Sequence, residues 1–181
     1  MGQRLTGSPF RLRGSAVDGG APGVVLDWAD LVEVTGLLSR LVAADGVPDV
    51  VVGILRGGLV PAVLVAHTLG LRDVRGIDVT HTAMEGVDAD KMPHPAVRNP
   101  ASLGDLTGLD TLVVDDVAGS GASVAATTEL VRAAGAAKIR TAVCVVNEIN
   151  WFRNTDGDPG AVLTYIGRRC QGWVVFPWEQ Q

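Results

Sequence analysis

The sequence contains few cysteines, histidines and aromatic residues, and these shortages exclude several classes of protein. Its 181 residues include two cysteines and three histidines, and the cysteines form neither a CxxC pair nor a Cys/His cluster. A disulfide-stapled scaffold and a structural zinc domain are therefore excluded. No stretch approaches about 18 uninterrupted apolar residues, and the amino terminus lacks the apolar segment of a signal peptide. We therefore expect a cytoplasmic protein without a membrane partner.

An excess of positive charge is also missing. The chain has 15 Lys and Arg against 20 Asp and Glu, which gives a formal net charge of -5 at pH 7. The basic residues are scattered rather than grouped in a stripe, so no nucleic-acid partner is expected. Small anionic ligands remain compatible with this charge, because main-chain N–H groups in loops and at helix starts can hold them.

The length and the first residues predict one domain with a short extension. A chain of 181 residues can bury a continuous core without disulfides or structural metals. Residues 1–23 show no hydrophobic period and end in a cluster of glycines and a proline. This composition predicts a flexible N-terminal extension, followed by a single domain at residues 24–181.

Helices and strands alternate along the domain. Helical spacing of apolar residues and flanking Asp, Pro or Gly predict helices from Asp30 to a stop at Gly46, at residues 62–69 and at residues 123–134. Continuous apolar runs predict buried strands at 49–55, 74–80, 111–117 and 140–146. This alternation predicts an α/β fold with a doubly wound parallel sheet. Residues 81–110 show no clear period and are expected to form a long functional or mobile loop.

The third predicted strand ends in a pair of carboxylates and continues into a loop of small residues before a helix. Ligands of open α/β sheets bind at the carboxyl ends of the strands. Small residues let main-chain N–H groups converge on a phosphate, and the helix start adds positive potential. The paired carboxylates Asp115 and Asp116 suit sugar hydroxyls or Mg²⁺. The candidate phosphate-binding residues are Ala118, Gly119, Ser120, Gly121, Ala122 and Ser123.

A Gly/Ser-rich turn taken alone is more often a tight capped turn than a binding loop. Here the preceding hydrophobic strand favours the binding loop, and two further motifs support it. The first is Gly53-Ile-Leu-Arg-Gly-Gly-Leu-Val-Pro61, and the second is Trp173-Val-Val-Phe-Pro-Trp-Glu179. Taken in their order along the chain, the three motifs resemble those of type I phosphoribosyltransferases, most of all the bacterial xanthine-guanine enzymes. The resemblance covers about Val24 to Glu179.

The resemblance implies a role for each residue of the phosphate side. Asp115 and Asp116 would be catalytic, binding Mg²⁺ as the cofactor and the ribose hydroxyls of phosphoribosyl pyrophosphate. Arg56, also assigned as catalytic, and the amides of Gly57 and Gly58 would hold pyrophosphate. The Leu55–Arg56 peptide would be cis.

The resemblance also implies a small C-terminal hood that binds a purine-like base. Trp173 would stack on the base, the Val174 main chain would bond to its edge, and Glu179 would bind an exocyclic amino group. Trp178 is expected to pack rather than to contact the ligand. The expected partners are phosphoribosyl pyrophosphate and the base, with a second copy or three further copies of the chain in a homodimer or homotetramer.

Two positions depart from the 6-oxopurine enzymes, and both concern the base. Gly119 stands where those enzymes place an aspartate that faces N7 of the purine. Asn147 stands where they place a lysine for the 6-oxo group, and its amide can either donate or accept. These departures leave two substrates open, namely an ordinary purine and a modified one such as a 7-substituted 7-deazaguanine.

The sequence therefore predicts Mg²⁺-dependent transfer of a 5-phosphoribosyl group to a purine-type base. A noncatalytic sensor of phosphoribosyl pyrophosphate is the alternative of another class, although it leaves the base-stacking segment without a purpose. A dinucleotide-binding module is weaker, because the loop lacks a full GxGxxG and its downstream acid. Lys91, in the long loop, is a further candidate phosphate contact.

Overall fold

The computed structural model describes residues 23–82 and 91–179, which form two β-sheets and the helices that surround them. The strands are β1 (Val24–Val25), β2 (Val50–Leu55), β3 (Val74–Thr82), β4 (Lys91–Val97), β5 (Asp110–Ala118), β6 (Lys138–Asn147), β7 (Tyr165–Cys170) and β8 (Val174–Val175). The helices are α1 (Trp28–Ala44), α2 (Leu59–Thr68), α3 (Ala122–Ala133) and α4 (Glu148–Asn154), with 3-10 turns at Pro100–Leu103, Pro159–Ala161 and Pro177–Glu179.

The larger sheet has six strands in the order β4-β3-β2-β5-β6-β7, and only β4 runs antiparallel to its neighbour. Alternate residues of its central strands face opposite layers. Val51 and Leu112 belong to the core under α1 and α2, whereas Val52 and Val113 belong to the core that includes α3. Burial on both faces explains the uninterrupted apolar runs, and the expected doubly wound α/β fold is confirmed.

Local sequence signals place α1, α2 and α3 to within a few residues. Asp27 caps α1 by accepting a hydrogen bond from the Asp30 N–H at 2.8 Å, and the Asp30 side chain accepts from the Asp27 N–H in return. This capping box satisfies N–H groups that a helix start otherwise leaves without partners. Among the described residues, no helix is long and apolar enough to cross a membrane.

The stretch predicted as one long loop, 81–110, is partly ordered, and that prediction was wrong for β4 and for the 3-10 turn. The error arose from Pro93 and Pro95, which lie within β4. Proline is tolerated at the edge of a sheet, where one side of the strand has no ladder to complete, and β4 is an edge strand. Asp88, Asp90 and residues 1–22 lie outside the described residues, and the structure does not describe the side chain of Lys91.

The amino-terminal edge of the sheet is fastened by a buried guanidinium, that of Arg140. It donates to both carboxylate oxygens of Asp110, at 3.1 and 2.9 Å, and to the Tyr165 hydroxyl at 3.2 Å. It also donates to the carbonyl of Gly46 at 2.8 Å, just beyond α1. Hydrogen bonds on every side of the group offset the cost of burying its charge. Arg140 therefore joins α1, β5, β6 and β7.

Replacing Arg140 with methionine is expected to lower the free energy of unfolding by about 3 kcal/mol, because Asp110 and the carbonyls of Gly46 and Val42 lose a buried donor. Lys138→Ala is the matched control, since Lys138 pairs with the same carboxylate at 3.1 Å while its side chain is 51% exposed. That exposed pair should contribute less than about 1 kcal/mol. Urea unfolding of both variants tests this, and equal losses would contradict it.

Candidate active site

The carboxylate pair lies at the carboxyl end of β5, where the first motif predicted it. Asp115 is only 7% exposed, and its Oδ1 accepts from the Asp116 N–H at 3.1 Å. The Asp116 Oδ1 accepts from the Val117 N–H at 2.8 Å. Burial, and then the neighbouring charge of Asp116, raises the pKa of the Asp115 carboxyl well above its usual range. Burial also raises the pKa of Asp116. Two carboxylates held together out of water favour a cation or hydroxyl donors between them.

The loop after the pair forms a small cradle before α3. Asp115 and residues 117–124 line a cavity of about 40 Å³. Gly121 has φ +72° and precedes the first helical residue, and it offers no side chain to cap α3. The main-chain N–H groups at this helix start suit an anion, as predicted for the loop.

Trp151 supports the cradle from behind. A Cβ on Gly121 would lie 2.9 Å from two carbons of the Trp151 ring, and this ring is 2% exposed. The indole N–H donates to the carbonyl of Gly157 at 2.8 Å. The structure therefore places Trp151 in the core. Its neighbours Phe152 and Arg153 are exposed.

The Arg-Gly-Gly loop packs directly against the carboxylate pair. The Leu55–Arg56 peptide is cis, as the resemblance implied, and Arg56 is exposed to solvent. A Cβ on Gly57 would overlap the Asp116 carboxylate, and one on Gly58 would lie 2.9 Å from the Asp115 Cα. Both positions therefore require glycine because the loop approaches the end of β5 so closely. The Arg-Gly-Gly loop and the carboxylate pair at the end of β5 therefore form one site.

The residues predicted for the base lie at the same edge of the sheet. In the strand register Ala118 pairs with Val146, and Asn147 pairs with Cys170, three residues before Trp173. Trp173 is 40% exposed, so part of this residue is accessible to a ligand. The negative charge of Glu179 contributes to the raised pKa of Asp116, which places the C-terminal segment near the carboxylate pair. The Glu179 carboxylate also accepts from the Phe176 N–H at 2.8 Å.

The C-terminal segment is held by a two-stranded parallel unit, β1 with β8, that the sequence did not predict. Val24 and Leu26 donate to the carbonyls of Trp173 and Val175, at 2.7 and 2.9 Å. Because alternate residues of a strand face its partner, the main-chain groups of Val174 between them point away from β1. The predicted bond from the Val174 main chain to a base edge therefore does not compete with the pairing to β1. Trp178 packs on Phe176, with ring centroids 4.7 Å apart, as expected.

Asn147 has a structural task that sequence reasoning missed. It is 4% exposed, and its side-chain oxygen accepts from the Asn150 N–H at 3.2 Å, which caps α4. The preference of asparagine for helix N-caps was the available signal. α4 has seven residues, too few to show a helical period, and it was not predicted. Binding of a base by Asn147 remains a prediction, with its oxygen already engaged.

A second and larger cavity, of about 790 Å³, does not include the carboxylate pair or Arg56. It runs along α3 and includes Ser120 and Gly121 at one end, with Trp151 and Leu163 in its wall. Asp115, Asp116 and Arg56 do not line it. The carboxyl end of β5 is the better candidate site despite its smaller cavity, because charged side chains and main-chain N–H groups suited to an anion converge there.

Comparison with known proteins identifies the family of the chain. Residues 27–179 match the family model of the phosphoribosyl transferase domain. A xanthine-guanine phosphoribosyltransferase of Ruegeria sp. is 33% identical over 138 residues, which are 75% of this chain and 70% of that protein. A second, from Cereibacter sphaeroides, is also 33% identical and is 71% covered.

A purine phosphoribosyltransferase from Pyrococcus horikoshii has a solved structure that resembles this one with a TM-score of 0.70 and 30% identity. The likeness covers 88% of this chain and 95% of that one. The resemblance to type I phosphoribosyltransferases, drawn from three motifs, is thus confirmed. Because the matching family model spans residues 27–179, the chain belongs to the phosphoribosyltransferase family of enzymes.

Proposed function

We propose that this protein transfers a 5-phosphoribosyl group from phosphoribosyl pyrophosphate to a ring nitrogen of a purine-type base. The observation that carries the proposal is the packing of Gly57 and Gly58 against Asp116 and Asp115. This packing supports the proposal because it brings the Arg-Gly-Gly loop against the two carboxylates, and the candidate phosphate-binding loop follows those carboxylates directly in the chain. The purine specificity in the names of similar proteins supports the choice of base.

The residues suit a reaction in which the C1–oxygen bond of the ribose breaks while a base nitrogen bonds to C1. Positive charge develops on the ribose, and the carboxylates of Asp115 and Asp116 orient its hydroxyls and oppose that charge. Arg56 and the amides of Gly57 and Gly58 stabilise the departing pyrophosphate. The exposed ring of Trp173 holds the base by stacking, which fixes its orientation toward C1.

The donor set fits Mg²⁺. Asp115 and Asp116 offer hard oxygen donors, and Mg²⁺ in proteins commonly takes one or two carboxylates and completes its shell with substrate phosphates and water. Within residues 23–82 and 91–179, no three Asp, Glu, His or Cys side chains form a metal cluster, so the substrate would supply the other ligands. When bound, Mg²⁺ would neutralise charge on the leaving pyrophosphate.

A modified purine is the second candidate substrate, and Gly119 favours it. Gly119 carries no carboxylate, so an acidic substituent on the base meets no like charge from this residue, although the Asn150 side chain lies 3.3 Å from where a Gly119 Cβ would be. A 7-substituted 7-deazaguanine is an example of such a base. The cytoplasmic location, the homodimeric or homotetrameric assembly, the role of Lys91 and the flexible extension at residues 1–23 remain predictions.

Both candidates are tested by one panel of bases with phosphoribosyl pyrophosphate and Mg²⁺, with pyrophosphate release as the measurement. Guanine, xanthine and hypoxanthine represent the ordinary purines, and 7-substituted 7-deazaguanines the modified ones. Turnover of any purine-type base supports the proposal, and the relative kcat/KM values choose between the candidates. Tight binding of phosphoribosyl pyrophosphate without turnover of any base would favour the noncatalytic sensor instead.

Replacing Arg56 with alanine is expected to weaken pyrophosphate binding about tenfold or more, because one charge-assisted contact to a phosphate is lost. Arg72→Ala is the matched control, since Arg72 is also exposed but precedes β3 at the opposite edge of the sheet. Calorimetric titration with pyrophosphate measures both affinities. Equal affinities in the two variants would count against the role of Arg56.

A further inference from the structure

The side-chain amide of Asn150 lies beside Gly119, a loop residue that has no side chain of its own. It lies in the first turn of α4 and is partly exposed. A Cβ on Gly119 would lie 3.3 Å from the Asn150 Cβ and 3.7 Å from its Nδ2. The direction in which a side chain at position 119 would leave the loop is therefore occupied by Asn150.

The two asparagines that flank this turn have different hydrogen-bonding states. The Asn147 oxygen is engaged in capping α4 and the residue is buried. Asn150 receives that bond on its main-chain N–H, and its main-chain carbonyl accepts from the Asn154 side chain at 2.5 Å. Among the described residues, the side-chain amide of Asn150 makes no hydrogen bond, so its donor and its acceptor are available to a ligand.

We infer that the side-chain amide of Asn150 contacts the edge of the base and helps to choose which base is used. The inference rests on the proposed function, which places the base between Trp173 and the ends of β5 and β6. α4 follows β6 directly, and Gly119 follows β5 directly, so Asn150 stands at that edge. It is a specificity residue of a helix that the sequence motifs do not include.

The chemistry of an amide defines which groups of a ligand Asn150 can bind. Its NH2 group can donate to a ring nitrogen, an oxo group or a carboxylate, and its oxygen can accept from an amino group. Because the amide is neutral, an acidic substituent on the base meets no like charge from this residue. An aspartate at the same position would only accept when ionised, and it would repel such a substituent. Asn150→Asp thus removes the donor and leaves only acceptors, while it barely changes the volume.

The experiment compares Asn150→Asp and Asn150→Ala with Asn154→Ala, an asparagine one turn later on the same helix. For each protein, kcat/KM is measured over the panel of bases, together with the KM for phosphoribosyl pyrophosphate and the melting temperature. We expect Asn150→Asp to lose about tenfold or more for bases that present an acceptor at this edge, relative to bases that present a donor. Asn150→Ala should narrow the differences between bases, and Asn154→Ala should leave the wild-type order unchanged.

The results separate this inference from the proposed function. A change in the order of bases, with an unchanged KM for phosphoribosyl pyrophosphate, supports the contact. If both Asn150 variants keep the wild-type order, or lose activity equally for every base, the inference is overturned while the proposed function stands. If the wild-type protein itself turns over no purine-type base, both are overturned, and this is visible before any variant is made.

Discussion

Asp116→Asn is expected to reduce turnover about 100-fold or more while the protein remains folded. The amide keeps the shape of the side chain, and its oxygen can still accept the 2.8 Å bond from the Val117 N–H. It loses the negative charge that, in the proposed function, would hold Mg²⁺ and oppose the charge on the ribose. The measurements are pyrophosphate release with the preferred base and thermal unfolding of the ligand-free protein.

The stability of this variant separates a functional carboxylate from a structural one. Asp115 and Asp116 are adjacent in the fold, and burial raises the pKa of both. Removing one charge relieves repulsion in the ligand-free protein, so the melting temperature should stay the same or rise. Asp156→Asn, at an exposed position after α4, should change neither quantity. A correctly folded Asp116→Asn protein with wild-type turnover would refute the assignment of the carboxylates.

Gly57→Ala is expected to weaken the binding of phosphoribosyl pyrophosphate and to lower turnover by about 100-fold. The added methyl group would overlap the Asp116 carboxylate, so either the Arg-Gly-Gly loop or the carboxylate must move. A displacement on the order of 1 Å is enough to misalign groups that act on the same substrate. Affinity is measured by calorimetry, and turnover by pyrophosphate release.

Two other glycines provide controls for this variant. A Cβ on Gly157 would meet no atom within 4 Å, so Gly157→Ala should leave binding unchanged. Gly36 lies inside α1, where alanine is favoured over glycine by about 0.5 to 1 kcal/mol, so Gly36→Ala should stabilise the protein without affecting turnover. If Gly57→Ala binds phosphoribosyl pyrophosphate as tightly as these controls do, the two loops are not one site.

The central strands were predictable because each satisfies a local rule. β2, β5 and β6 are buried on both faces, so their residues are apolar without alternation, and the pattern is visible in the sequence. The phosphate loop and the carboxylate pair were predictable for a related reason. Their chemistry is carried by consecutive residues at one strand end, and consecutive residues are what a motif records.

The elements that were missed depend on partners distant in the chain. β7 is an edge strand whose Arg168 pairs with Asp30 and Glu33, and whose Arg169 pairs with Asp158, so its pattern is mixed. β1 and β8 have two residues each and exist only because they pair with each other. No local preference specifies a strand of two residues, so tertiary contact had to decide it.

The sequence by itself determined the fold class, the carboxylate pair and small-residue loop at the end of β5 and the membership of a family, because these depend on residues that are neighbours in the chain. Only the tertiary structure decided that Gly57 packs on Asp116 and that Asn150 stands beside Gly119. These are contacts between residues on different elements. Such distances are set by how the helices and strands pack, and the spacing of residues along the chain does not contain them.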